Sequence, residues 1–341
     1  MTKRRVGWVH IKIGIDFFVK MWYYEFRLHS IVRSRSMKIK SVLLSTGFVY
    51  AILANLFFSF MTVSVFEVKV LDPSVSPFVV SFVRVIVNLL IILVPSMIKG
   101  EGRILFGDKT WSLWLRGFFG GGSLMLFFFS IQAIGPSEST FIQSVNGMFI
   151  VLLCPLVLGE RFSLKAFTVV LVSLVGLYIL FDPSLSHEKT FGQIIALVGG
   201  VFAAFSALMV AKAGKTNSPI TIIFYFCFVA FLMHLVCFAV IGEVTFPRSW
   251  SVWGVMIAAG VFSTVAQFCM AKAYQIAPAS LVAAIGYLGP VLNTVWGILL
   301  FQQMLTGRAS IGCAIILVCG VFIPFLKIKN SAPKVDIKAH I

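Results

Sequence analysis

Charged residues are scarce in this chain of 341 residues. They make up 12% of it, roughly half the share found in soluble domains, whereas 59% of the residues are hydrophobic. The mean hydropathy is +1.00. This composition excludes an ordinary soluble domain and favours a chain whose main solvent is lipid. We therefore predict an all-α polytopic membrane protein, with membrane lipid as a partner.

The signature motifs of enzymes are also lacking. The sequence contains no HExxH or GxSxG motif and no paired acidic residues within its apolar runs. Its six cysteines form no CxxC pair and all lie in apolar runs, as small buried side chains do: Cys154, Cys227, Cys237, Cys269, Cys313 and Cys319. We accordingly predict no enzymatic activity, no cofactor and no metal site.

Acidic residues are few, and basic residues are distributed unevenly. The chain has 28 Lys and Arg against 12 Asp and Glu, a net charge of +16. No motif that reads a nucleic-acid groove accompanies this charge, so we expect no nucleic-acid partner. With the N-terminus in the cytoplasm, the connections after residue 40 place 12 basic residues inside and four outside. This asymmetry predicts both termini in the cytoplasm, in a bacterial-type inner membrane.

Ten apolar runs follow one another, each near the length that crosses a bilayer. They span residues 41–66, 76–98, 111–134, 138–158, 163–181, 190–211, 218–241, 251–274, 279–301 and 308–326. The connections between them are short, and several carry Pro, Gly or Ser. We predict ten transmembrane helices. Gly117 and the run Gly120-Gly121-Gly122 are predicted to let a neighbouring helix approach the third span closely.

The second half of the chain repeats the first at one constant offset. The pairs that share this offset are Pro136 with Pro278, Ser76-Pro77 with Ser218-Pro219, Gly100-Glu101 with Gly242-Glu243, and Trp111 with Trp253. Four matches in one register indicate two copies of one unit. Because each copy has an odd number of spans, the second copy is predicted to be inverted, with a substrate site between the copies.

Two stretches carry a resemblance to a known family. They read AIGPSESTFIQSVNGMFIVLLCPLVLGERFS in the first half and AKAYQIAPASLVAAIGYLGPVLNTVWGILLFQQMLT in the second. Each is similar to the proline-containing hairpin, apolar helix and acidic turn of the drug/metabolite transporter superfamily, EamA group. Glu160 holds the acidic position in the first half, whereas Gln303 departs from it in the second. The resemblance implies ten helices around a central cavity and the transport of small organic metabolites.

Four segments are predicted from these boundaries. Residues 1–40 form a basic, aromatic extension, residues 41–182 the first repeat, residues 190–326 the second repeat, and residues 327–341 a basic cytoplasmic tail. The extension is either an interfacial helix or a stretch that is not translated, since Met37 opens a short basic leader to the first span. The oligomeric state is left open, with a homodimer as one option.

Arg84 is the first candidate site residue because it lies in the middle of the second span. A charge at that depth usually faces a cavity or a partner. Either it binds a carboxylate or phosphate of the substrate, or it bonds to helix-end carbonyls. Uncharged polar and aromatic side chains on other spans complete the predicted substrate site: Asn55, Gln143, Asn146, Gln267, Tyr274, Tyr287, Asn293 and Trp296. Helical spacing places Gln267 and Tyr274 on one face of the eighth span, and Asn293 and Trp296 on one face of the ninth. Helix–helix hydrogen bonding is the alternative role for each of them.

Two further residues are candidates for proton coupling. Glu138 opens the fourth span, and His234 lies within the seventh. Proton-coupled carriers usually keep such a titratable group on the transport pathway. Exchange of one metabolite for another needs no such group, and we favour exchange.

Together these features predict a secondary transporter for a small-molecule substrate. An amino acid or an amino-acid derivative suits one deep cation surrounded by amides and rings, with S-adenosylmethionine as the ring-bearing case. A nucleotide-sugar or drug transporter of the same fold is the alternative. A passive channel and a membrane-embedded enzyme are alternatives from other classes.

The predicted topology can be tested with single cysteines in a background that lacks the native ones. A cysteine at Ser186 is expected outside and a cysteine at Lys215 inside, because the basic connections lie in the cytoplasm. An impermeant thiol reagent added to intact cells should then label position 186 alone. Equal labelling of both positions would contradict the orientation.

Overall fold

The computed structural model describes residues 38–98, 100, 102–158, 168, 171–172, 175–176, 178–179, 187–241, 245–277, 282, 285–302, 304 and 306–328. Over these residues the protein is helical and has no strand. The helices are α1 (Lys38–Leu71), α2 (Pro77–Ile98), α3 (Trp111–Ile134), α4 (Pro136–Gln143), α5 (Asn146–Leu158), α6 (His187–Ala213), α7 (Pro219–Ile241), α8 (Trp250–Ile276), α9 (Leu288–Phe301) and α10 (Gly307–Ile328). The all-α prediction is confirmed.

Within this part of the chain, six helices are long and apolar enough to cross a bilayer: α1, α2, α3, α6, α7 and α8. Two shorter apolar helices lie at Leu288–Phe301 and Gly307–Cys319. The predicted fifth span, 163–181, falls mostly outside the described residues. The same holds for Glu160, Pro278 and Gln303, and for the two terminal segments apart from residues 38–40 and 327–328.

Proline begins the helices at repeated positions. Pro77 opens α2, and Pro219, its counterpart in the second repeat, opens α7. A proline suits the first helical position, because its fixed φ is helical and its missing N–H would have no intrahelical partner there. The repeat read from the sequence therefore marks equivalent helix starts in the structure.

Helix packing has the same twofold pattern. The most extensive contacts are those of α1 with α8 and of α3 with α6. In terms of the ten predicted spans, these pairs are the first with the eighth and the third with the sixth. Exchanging the two repeats converts one pair into the other. This equivalence is the packing expected of two copies related by a pseudo-twofold axis.

Glycines allow α3 to lie close to α7. A Cβ built on Gly117 would come within 2.6 Å of Val229 Cβ and 2.8 Å of the Tyr225 carbonyl oxygen. On Gly121 it would meet the Ala230 backbone at 3.1 Å. The structure thus shows the close approach predicted for this glycine run, and the run fixes the position of α3.

Polar contacts also join the repeats at the predicted cytoplasmic end. The connection between α2 and α3 contacts the turn between α6 and α7, where Asp108 accepts from Thr216 Oγ1 at 2.6 Å. The Asp108 N–H donates to Asn217 Oδ1 at 3.0 Å. Desolvation raises the pKa of Asp108, but hydrogen bonds from Thr216, Thr110 and Asn217 outweigh it and lower this pKa to about 2. The carboxylate is therefore charged at any physiological pH.

The close packing of α3 predicts that one methyl group added at Gly117 destabilises the protein. Gly117→Ala should lower the melting temperature of the protein in lipid nanodiscs, because the new Cβ overlaps a backbone carbonyl that cannot rotate away. Overpacking of this kind costs about 1–3 kcal/mol. Gly254→Ala is the matched control, since a Cβ there meets nothing within 4 Å. Equal melting temperatures for the two variants would contradict the close approach.

Candidate functional site

A cavity of about 270 Å³ lies between helices of the two repeats. Helices α1 to α5 line it from the first repeat, and α6 to α9 from the second. Of the nine predicted substrate-site residues, these eight line it: Arg84, Asn55, Gln143, Asn146, Gln267, Tyr274, Tyr287 and Asn293. Residues predicted on separate helix faces therefore surround one space.

Helix breaks bring several of these side chains to the cavity. The predicted fourth span, 138–158, is not continuous, since α4 ends at Gln143 and α5 begins at Asn146. Hydrogen bonds of the 3₁₀ type tighten the chain there, from Val145 N to Ile142 O at 3.2 Å and from Gly147 N to Ser144 O at 3.1 Å. The predicted span thus consists of two helical segments, a division that the sequence does not indicate because the apolar run continues across this turn.

The second repeat has its turn at the equivalent place. Tyr287 lies in a turn directly before α9, and it is the counterpart of Val145 in the register of the repeat. Discontinuous helices of this kind typically form the substrate sites of inverted-repeat transporters. Irregular backbone is tolerated in a bilayer only where it is buried in protein or lines a cavity.

Arg84 is buried, with 3% of its surface exposed. Its Cζ lies 5.4 Å from the Phe128 ring centroid and 6.0 Å from that of Phe226. Its Nε is buried without a hydrogen-bond partner. Within the described residues, no hydrogen bond or ion pair of its guanidinium is found. The alternative role of bonding to helix-end carbonyls thus has no support in this part of the chain.

The backbone that carries Arg84 is held firmly. The Asn88 amide lies 2.8 Å from both Ser263 Oγ and Thr264 Oγ1 of α8. In the orientation in which its nitrogen faces these groups, the amide also donates to the Arg84 carbonyl oxygen at 3.1 Å. This buried network fixes α2 against α8, so the cation is rigidly placed.

Arg116 is a second cation in the cavity, and it was not predicted from the sequence. It lies six residues into the apolar run 111–134, which is the signal that could have found it. Its Nη1 donates to Ser206 Oγ, and its Nη2 donates to Gln267 Oε1 at 2.9 Å. Its Cζ lies 4.4 Å from the Phe226 ring centroid. The expectation of a single deep cation was therefore wrong.

Besides the Nε atoms of Arg84 and Arg116, two buried polar atoms in the lining have no partner within the described residues. They are the Tyr287 hydroxyl and Asn293 Oδ1. The Asn293 amide nitrogen donates to Thr140 Oγ1 at 3.0 Å, which leaves its oxygen available. Buried polar atoms are normally paired, so these atoms are candidates for contacts with a ligand. The Asn55 amide nitrogen, in contrast, donates to the Ala51 carbonyl oxygen at 2.8 Å.

Trp296 is the predicted site residue that does not line the cavity. Its Nε1 donates to Ser59 Oγ at 3.3 Å, and Ser59 itself is part of the lining. Its ring packs against Phe60 at a centroid distance of 5.8 Å. Trp296 therefore supports the cavity wall from behind.

The two candidates for proton coupling also lie outside the lining. Glu138 pairs with Lys189 at 3.2 Å and accepts from Gln193 Nε2 at 2.5 Å. His234 is fully buried, with its ring nitrogens 2.6 Å from Ser81 Oγ and 2.7 Å from the Ala230 carbonyl oxygen. Both side chains join helices in this structure, and their role in coupling stays a prediction.

Known proteins resemble this chain in sequence. The pseudopaline exporter CntI of Pseudomonas aeruginosa is 27% identical over 276 residues, which cover 81% of this chain and 95% of the exporter. The riboflavin transporter of Vibrio cholerae is 28% identical over 174 residues, 51% of this chain and 57% of that protein. Solute carrier family 35 member G1 of Mus musculus is 24% identical over 272 residues, 76% of this chain and 73% of the carrier.

Structure and family profile extend the comparison to both halves. A solved crystal structure with 18% sequence identity has a TM-score of 0.63 and covers 85% of this chain and 100% of its own, which shows a shared fold. The profile of the EamA-like transporter family matches residues 45–182 and 190–325. Two EamA repeats thus account for most of the sequence, and the protein belongs to the EamA-like transporter family.

Proposed function

We propose that this protein is a secondary transporter that moves a small, carboxylate-bearing metabolite, an amino acid or amino-acid derivative, by alternating access. The observation that carries the proposal is Arg84, a buried guanidinium without a polar partner among the described residues, in the wall of a cavity between the repeats. A buried charge is costly unless it is paired, and a carboxylate matches the guanidinium fork. The substrate is the missing partner.

Family membership supports the class of protein but leaves the substrate open. The relatives are named for different compounds, pseudopaline in one case and riboflavin in another. The choice of substrate therefore depends on the side chains in the cavity of this chain.

The neutral part of the lining suits an amino or hydroxyl group of the substrate. Asn293 Oδ1 can accept a hydrogen bond, and the Tyr287 hydroxyl can donate or accept one. A purely hydrophobic drug would leave these two groups unpaired, at roughly 1–3 kcal/mol each. We therefore consider a hydrophobic drug a less suitable substrate than a polar metabolite.

The second guanidinium changes the ranking of two other candidates. S-adenosylmethionine becomes less suitable, because its sulfonium and ammonium groups would meet two cations. A nucleotide sugar gains a cation for its phosphates, but the cavity of about 270 Å³ lies below the roughly 300–1,000 Å³ of drug-sized sites. A smaller anion therefore remains the better match.

Exchange is the mechanism we propose for the transport cycle. Within the described residues the cavity lining contains no acidic side chain and no histidine, and both Glu138 and His234 contact other side chains outside it. Exchange requires no titratable group on the pathway. We place the protein in the bacterial inner membrane with both termini in the cytoplasm, in keeping with its basic connections.

Transport can be measured in proteoliposomes loaded with unlabelled metabolite. We expect labelled amino acids or their derivatives to exchange faster than S-adenosylmethionine or a nucleotide sugar. Arg84→Ala should reduce exchange about tenfold or more, since hydrogen bonds to a charged group contribute roughly 1.5–3 kcal/mol.

Arg248→Ala is the matched control for this experiment, because Arg248 is exposed in the connection before α8 and does not line the cavity. Its exchange rate should equal that of the parent. Nucleotide-sugar exchange as the fastest activity, or full activity of Arg84→Ala, would contradict the proposal. Single-channel currents in planar bilayers would favour a passive channel instead.

A further inference from the structure

The guanidiniums of Arg84 and Arg116 both lie near the ring of Phe226 in the cavity wall. Arg84 Cζ lies 6.0 Å and Arg116 Cζ lies 4.4 Å from the centroid of the Phe226 ring. The two carbons are therefore no farther apart than the sum of these distances. One small molecule with two negatively charged groups can reach both cations.

The protein leaves both charges without an acidic partner in the residues that the structure describes. Arg116 donates to the neutral groups of Ser206 and Gln267, which accept its hydrogen bonds but do not neutralise its charge. Arg84 has no polar partner there, and no Asp or Glu is among the described residues of the lining. Two positive charges in one buried space repel each other and attract an anion.

The two cations are not a requirement of the repeated fold. Both belong to the first repeat, and their counterparts in the register of the second repeat are Phe226 and Ala258. The equivalent helices of the second repeat, α7 and α8, form without a cation at either position. A role in the function of the cavity accounts for this asymmetry better than a role in folding.

The arginines differ in what they offer an anion. All donors of the Arg84 guanidinium are free of described partners, so it can bind a carboxylate or phosphate through two parallel hydrogen bonds. Arg116 has two of its nitrogens engaged, and its Nε is buried without a partner. Ser206 and Gln267 thus position Arg116, which contributes its charge and its remaining hydrogens.

We infer that the cavity binds a small organic molecule with two negative charges, one opposite each guanidinium. This inference rests on the proposed transport function and makes its substrate more specific. The two charges are carried either by two carboxylates or by a carboxylate and a phosphate ester. The Tyr287 hydroxyl and Asn293 Oδ1 remain for an uncharged or amino group of the same molecule.

Matched pairs of compounds test the number of charges. The probes are L-glutamate with L-glutamine, and O-phospho-L-serine with L-serine, since each pair differs by one anionic group. Binding is measured by isothermal titration on the full-length protein in nanodiscs. In at least one pair the acidic member should bind about tenfold more tightly or better. A larger preference for L-glutamate assigns two carboxylates, and one for O-phospho-L-serine assigns a phosphate ester.

Variants test the two guanidiniums. Arg84→Gln and Arg116→Gln should each remove most of the preference for the acidic member. Arg84→Lys should retain part of it, because the charge persists without the planar fork. The control Arg248→Gln should behave as the parent.

A stability measurement separates this role from a structural one. Without ligand, Arg84→Gln should melt at the same temperature as the parent or higher, because it removes a buried charge that lacks an acidic partner among the described residues. A lower melting temperature together with an unchanged preference for the acidic member would assign Arg84 to the fold and overturn the inference.

The outcomes distinguish this inference from the proposed function. Equal binding within both pairs, or no binding of either acidic probe, would overturn the inference. If the neutral members nevertheless exchanged across proteoliposomes, the transport proposal would stand alone. If the acidic members bound as expected but did not exchange, the anion site would stand and the transport proposal would fail.

Discussion

The structure depends on a constraint that lipid imposes on the backbone. A bilayer core offers no partners to N–H and C=O groups, so the chain satisfies them within helices. Helices can be interrupted only where protein or a cavity surrounds the break. The two interruptions at residues 144–145 and at Tyr287 both contribute to the cavity lining. The same rule that makes the protein helical thus determines where its site can be.

Small side chains determine how closely the helices approach. The chain gains little from the hydrophobic effect between helices in lipid, so association depends on contact and on polar pairs. Gly117 and Gly121 allow α3 to lie against α7, and Gly260 does the same for α8 and α2, where a Cβ would come within 2.6 Å of Val87. Because α2 and α3 carry the two arginines, this packing also brings the cations together.

Much of this arrangement could be predicted from particular residues. The constant offset between matched residues, with the prolines at 77 and 219, indicated the repeat and the helix starts, and the polar positions on single helix faces indicated most of the lining. The break after Gln143 could not be seen, because apolar residues continue through it. Arg116 was missed because it lies close to the end of its run, where a basic residue is ordinary. Only the packing of α3 against α6 and α7 shows that it reaches Phe226.

The surroundings of Trp296 could not be predicted from the sequence. Helical spacing placed it on the same face as Asn293, but a face toward other helices can contact either a cavity or a neighbouring side chain. Its hydrogen bond to Ser59 shows the second case. Sequence spacing predicts which face of a helix carries a side chain, but it does not predict whether that side chain reaches the cavity or packs against a neighbouring helix.

The wall of the cavity is also where the repeats are bonded to each other. Arg116 bonds to Ser206 and Gln267 across the repeats, Thr140 bonds to Asn293, and Ser59 bonds to Trp296. Any movement of one repeat against the other therefore changes hydrogen bonds that belong to the site itself. A ligand can shift such a movement only by the difference in its affinity for the two arrangements. Both cations belong to the first repeat, whereas Gln267, Tyr287 and Asn293 belong to the second. The proposed anion would therefore contact both repeats at once, with its charge partners on the first and its polar contacts on the second.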